Sequence, residues 1–96
     1  MNPVIGWDIG GANIKAACVI PDSTGMRAAR VASQPFEIWR EKDRLLEVLR
    51  SVYSRIVMDA PPRAAAITMT AELSDVFATK REGVLFILES IRAVFQ

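Results

Sequence analysis

Positions 4–9 (VIGWDI) and 14–20 (IKAACVI) are short, rich in β-branched residues and apolar on both parities. Runs of this kind predict strands covered on both faces. The residues between them, GGAN at 10–13, are too few for a crossover and predict a hairpin turn. PDSTG at 21–25 is a second turn signal, and 26–36 then predicts a third strand, with Ala28, Val31 and Phe36 as apolar points and Pro35 near its end. Three consecutive strands joined by short turns make an antiparallel meander.

From Asp43 the period changes. Leu45, Leu46, Leu49, Val52, Tyr53 and Ile56 form one stripe of an α-helix. Asp43 stands in front of it, where a carboxylate can cap free amides and meet the positive helix end. DAPPR at 59–63 stops the helix, because neither proline donates the amide a helix interior needs. AAAITM at 64–69 reads as a fourth strand. Thr79 and Glu82 have capping-box spacing ahead of a final helix striped by Val84, Leu88, Ile91 and Phe95. The expected fold class is α/β, in the order β-β-β-α-β-α, with a mixed sheet that contains the meander. Residues 1–96 are expected to be one domain. The helical pattern is still running at Phe95, so the expectation is an N-terminal half-domain truncated at its C-terminal side.

Composition narrows the chemistry. With 12 basic and 11 acidic residues the net charge is +1, too little to draw in nucleic acid or an anionic membrane. Arg27, Arg30, Arg40, Lys42 and Arg44 are interleaved with acids and read as a solvated face. There is no histidine, which excludes imidazole bases and Cys/His zinc sites. The one cysteine, Cys18, lies in an apolar run and reads as core. The N-terminus lacks a signal-peptide pattern and no run suggests a membrane span, so a cytoplasmic protein is expected.

The chemistry concentrates in WDIGGANIK. Gly10 and Gly11 are adjacent and followed by a strand, which fits neither the dinucleotide fingerprint nor the P-loop. Glycines at a hairpin tip leave amides uncovered and tolerate positive φ, so a phosphate can approach Gly10, Gly11, Ala12 and Asn13. Asp8 can hold Mg²⁺, which prefers few carboxylates and several waters, and Lys15 adds a point charge toward phosphate. A buried, unpaired Asp8 between Trp7 and Ile9 would be expensive, which argues for a role. At the end of the fourth strand Thr68 and Thr70 alternate, with Glu72 and Asp75 in the loop beyond. Strand carboxyl ends face the ligand crevice in open α/β sheets, so these residues can line a substrate pocket. Equally, Thr70 can cap the next turn while Glu72 and Asp75 face water.

GWDIGGANIKAA resembles the first phosphate motif of the actin, sugar kinase and DnaK-type chaperone superfamily, whose ribonuclease H-like half-domain has the same order of elements. With AITMTAELSDVFATKREGV, the sequence is more narrowly similar to hydantoinase/oxoprolinase-type proteins. Within these it resembles the branch linked to tetrahydromethanopterin and one-carbon metabolism, whose archaeal members join a furan-methylamine diphosphate to glutamyl-tyramine as methanofuran-precursor synthases. The resemblance implies a transferase with Mg²⁺ and either ATP or a diphosphate-bearing substrate. Asp8 would hold the metal, Gly10 and Gly11 would stabilise departing charge, and Glu72 would accept a proton. Ala12 departs from the Thr or Ser common in the superfamily, which removes one hydroxyl from the phosphate.

In the superfamily, nucleotide lies between two such half-domains, so the expected partners are a phosphorylated small molecule and a missing second half or second copy. The chain alone is expected to be inactive and marginally stable. Two alternatives stand beside this reading: a non-catalytic half-domain that docks onto a partner, and a relative of ATP-dependent sugar or acetate kinases.

Overall fold

The computed structural model describes residues 2–95. Strands β1 (Val4–Ile9), β2 (Asn13–Asp22), β3 (Gly25–Pro35) and β4 (Ala64–Met69) form one sheet in the order β3-β2-β1-β4. β2 is antiparallel to β1 and β3, whereas β4 runs parallel to β1. A parallel return needs a crossover. Helices α1 (Ile38–Glu41) and α2 (Leu45–Ile56), fused by a 3₁₀ turn at Lys42–Arg44, supply it. After β4 come a 3₁₀ turn at Ala71–Leu73 and helix α3 (Lys80–Val94). The order is therefore β-β-β-α-α-β-α, one short helix more than the hydrophobic period predicts.

That extra helix displaces the expected cap. Arg44, not Asp43, precedes α2, and it makes no side-chain cap bond. Asp43 lies inside the 3₁₀ turn. Of the predicted stripe, Leu45, Leu49, Val52 and Ile56 are buried on β2 and β3 and are joined there by Val48, whereas Leu46 and Tyr53 are half-buried. Fully burying an aliphatic side chain of this size contributes about 1.5–3 kcal/mol, so the stripe holds α2 on the sheet without a cap. At the β2–β3 turn, Gly25 takes φ +129°. Asp22 accepts from the Thr24 N–H at 2.8 Å and the Thr24 hydroxyl at 2.7 Å. These bonds hold its carboxyl below the ordinary value.

The strands are covered on one face only, against the expectation of two. Ile5, Trp7, Ile9, Ile14, Ala16 and Cys18 are buried beneath the helices. The opposite parity is lined by Gly6, Ala17, Val31 and Ala66, and no described helix lies over it. These small apolar side chains satisfy the strand pattern without requiring a cover.

α3 is rotated from its predicted stripe. Gly83, Ile87 and Ile91 are buried, whereas Leu88 and Phe95 are each 40% exposed. The cause is Gly83. A methyl group there would stand 2.9 Å from the Glu72 Cα and 2.9 Å from a ring carbon of Phe77. The helix therefore descends onto the 71–73 turn at its glycine, and Phe95 instead meets the Tyr53 ring edge-on at 5.2 Å. The expected Thr79 cap is present, its hydroxyl accepting from the Glu82 N–H at 3.1 Å.

Two glycine substitutions test this packing by thermal melting. Gly83→Ala gains about 1 kcal/mol of helix propensity but meets backbone, and overpacking costs about 1–3 kcal/mol. The net expected effect is a lower Tm. Gly6→Ala enters open space on the bare face, so stability should rise by about 0.5–1 kcal/mol. A raised Tm for Gly83→Ala would contradict the close approach of α3.

Candidate functional site: a clamped turn beside a polar row

The 10–13 turn closes the first hairpin with the Gly10 N–H donating to the Asn13 carbonyl at 2.9 Å. The chain leaving β3 then binds the turn from outside. The Phe36 N–H donates to the Ala12 carbonyl at 2.9 Å, and the Ile38 N–H donates to the Gly11 carbonyl at 3.2 Å. The turn's outer carbonyls are thus occupied. The amides of Gly11 and Ala12 donate to no partner among the described residues, and both residues are exposed. Two successive uncommitted amides on a fixed turn are the donor set of a backbone anion site.

The glycines contribute differently from the sequence expectation. Neither takes positive φ, since Gly25 alone does so among the described residues. At Gly10 a methyl group would press on the Asn13 carbonyl at 3.1 Å, so closing the turn favours glycine. At Gly11 it would meet nothing within 4 Å. The fold has no need of glycine there, and the absent side chain leaves the outside of the turn open.

Asp8 is exposed, so the expected desolvation cost does not apply to it. Its register is what marks it. Asp8 lies across from Lys15 on β2 and from Thr68 on β4, and Lys15 lies across from Ser33 on β3. Thr68, Asp8, Lys15 and Ser33 therefore form a polar row across the whole bare face, at the turn end of β1. All four are exposed, and neither Asp8 nor Lys15 enters any ion pair among the described residues. They border an open groove of about 600 Å³ whose floor includes Gly6, Ala17, Val31 and Ala66. Ser33 had no sequence signal, because its place in the row depends on the β2–β3 register.

The residues beyond β4 divide into two groups. The Thr70 N–H donates to the Ile9 carbonyl at 3.0 Å, which fixes Thr70 beside Gly10. The Thr70 side chain is exposed and makes no cap bond. Thr68 reaches the Trp7 carbonyl through a long 3.5 Å bond. Asp75 is exposed, but Glu72 does not face water: it is 7% exposed, enclosed beneath α3, with Oε2 unpartnered. The structure groups Asp8, Lys15 and Thr68 with the turn, and sets Glu72 on the helix-covered side. No three His, Cys, Asp or Glu side chains gather as a cation site among the described residues. Asp8 is a lone carboxylate, suited to a hydrated cation that takes its other ligands from a phosphate and water.

The three-dimensional likeness is to phosphatases. The Ppx/GppA enzyme of Aquifex aeolicus superposes with a TM-score of 0.63 at 11% identity, over 99% of this chain and 34% of that one. The type II variant of the same phosphatase gives 0.64 at 11% identity, over 96% and 34%. At this identity the likeness shows a shared fold alone. No family model matches the sequence. It is 32% identical over 92 residues to (4-{4-[2-(gamma-L-glutamylamino)ethyl]phenoxymethyl}furan-2-yl)methanamine synthase of Methanocaldococcus jannaschii. That match covers 96% of this chain and 24% of the synthase. The chain thus spans about a quarter of the relative it matches in sequence and about a third of those it matches in structure. No helix among the described residues is long and apolar enough to cross a membrane.

The open space at Gly11 generates a direct test. Gly11→Ala should leave the stability within about 0.5 kcal/mol of wild type, yet weaken binding of inorganic diphosphate at least tenfold in calorimetric titration. Undiminished binding would place the anion away from the turn.

Proposed function

We propose that this chain is the phosphate-holding lobe of a hydantoinase/oxoprolinase-type enzyme that transfers a group away from diphosphate, in the manner of a methanofuran-precursor synthase. The observation that carries the reading is the clamped turn: two free amides and an open Gly11 beside the unpaired Asp8 and Lys15. The similarity to the synthase supports the reaction class. The name of its product contains an ether between a phenol oxygen and a furan methylene. Forming that ether on a furan-methyl diphosphate joins the phenol oxygen to the furan methylene carbon, breaks the bond from that carbon to the diphosphate oxygen, and releases the phenol proton.

The lobe's part in this reaction is to receive the leaving group. Amides held before the reaction begins stabilise developing charge without reorganising, and here the Gly11 and Ala12 N–H groups take that role. Lys15 adds a cation across the strand from Asp8. Asp8 would hold Mg²⁺, which supplies charge neutralisation to the diphosphate. Asn13 and Gly10 shape the turn, while Thr68 and Thr70 border it on the β4 side. Asp75 lies out in the loop that follows. Glu72 is enclosed beneath α3, so we assign it to the packing of the 71–73 turn and leave the departing proton to solvent. In this reading the whole enzyme has a second lobe that closes over the anion, and the isolated lobe binds without turning over.

Calorimetric titration of residues 1–96 with inorganic diphosphate in Mg²⁺ should give a Kd in the millimolar range, about 4 kcal/mol. Asp8→Asn should raise that Kd at least tenfold in Mg²⁺ while leaving the Tm unchanged. An unaltered Kd would remove Asp8 from the site. Micromolar binding by the wild type would mean that no second lobe is needed.

A further inference from the structure

Trp39 is 58% exposed, on a short helix whose first residue, Ile38, makes the bond to the Gly11 carbonyl of the turn. The other tryptophan, Trp7, is buried in the core. A groove of about 350 Å³ opens beside Trp39, lined by residues 39–44 and Val76. The Arg40 guanidinium lies 5.5 Å from the centre of the indole and is held by Glu37 at 2.8 Å. Arg44 is paired with Glu41 at 2.9 Å and approaches Glu47 at 3.6 Å. Two of the three cations along the groove are therefore compensated.

Lys42 is not. It makes no ion pair among the described residues, is half-buried, and stands 5.7 Å from the ring centres of both Phe77 and Phe86. Ring faces attract an ammonium but leave its positive charge uncancelled. Asp43, the remaining acid on the groove, is exposed, where water screens it. Trp39 and Lys42 are three residues apart along the helical segment 38–44, and both line the same groove. An aromatic platform next to an uncompensated, partly desolvated cation is complementary to a ligand with a ring at one end and an anion at the other.

We infer that this groove binds an aryl carboxylate, and that the ligand is the acceptor molecule of the transfer reaction. The ring lies on Trp39, and the carboxylate meets Lys42. Binding by the groove stands on its own geometry; its role as the acceptor's seat rests on the phosphate reading proposed above. The phosphate turn is anchored to the same segment by Ile38, so donor and acceptor would be presented from one continuous piece of backbone.

The probe is 3-(4-fluorophenyl)propionate, observed by fluorine NMR with residues 1–96. Saturable binding is expected, at least tenfold tighter than for 4-fluorophenethylamine, which keeps the ring and reverses the charge. Trp39→Ala and Lys42→Met should each weaken binding at least tenfold, with melting curves recorded to confirm folding. Lys42→Arg keeps the charge over Phe77 and Phe86 and should retain binding. Asp8→Asn should leave propionate binding unchanged. Equal affinity for the amine, or unaltered affinity in Trp39→Ala, would overturn the inference. Propionate binding without any diphosphate binding would support the groove and defeat the phosphate reading. Diphosphate binding without propionate binding would do the reverse.

Discussion

The structure turns on two backbone hydrogen bonds, from Phe36 and Ile38 to the carbonyls of Ala12 and Gly11. A four-residue hairpin turn is ordinarily a mobile surface feature. Here the chain leaving β3 passes over it and binds its carbonyls, so the free amides of Gly11 and Ala12 sit on a fixed frame. The frame is itself anchored, because Phe36 and Ile38 are both buried in the core. The same clamp sets the start of α1, and through the 3₁₀ turn the position of α2. Core packing and site geometry therefore share one set of contacts.

A second constraint is the one-sided sheet. Ile5, Trp7, Ile9, Ile14, Ala16 and Cys18 of β1 and β2 go beneath the helices, leaving an uncovered face bordered by the row from Thr68 to Ser33. On such a face Asp8 and Lys15 are exposed to water. They are free to engage a ligand instead of each other, and the exposed setting limits how strongly either charge acts. Exposed charges interact through a high dielectric, which is why weak diphosphate binding is the expectation for residues 1–96.

The bounds of β4 and the stripe of α2 were legible in the sequence because each is a local period with nearby breakers. Asp43 misled because the pattern does not distinguish a cap from a fused 3₁₀ turn. The phase of α3 was not legible either. It depends on Gly83 meeting Glu72 and Phe77, a contact that joins two loops and a helix. At the site, the turn and Asp8 were readable from residue types. The exposure of Asp8 was not, because an apolar strand reads as doubly covered even when one of its faces carries no helix. Glu72 was assigned by its loop position, but packing by α3 took it out of water. Ser33 and Trp39 came into view only with the β2–β3 register and the path of the chain after β3.

The claim that the clamped turn is an anion site is tested most directly by amide chemical shifts of residues 1–96 titrated with inorganic diphosphate and Mg²⁺. Gly11 and Ala12 should move most, Asp8 and Lys15 should follow, and Phe36 and Ile38 should keep their protection from hydrogen exchange throughout. Unmoved Gly11 and Ala12, with shifts instead spread over the basic side chains of α2 and α3, would contradict it.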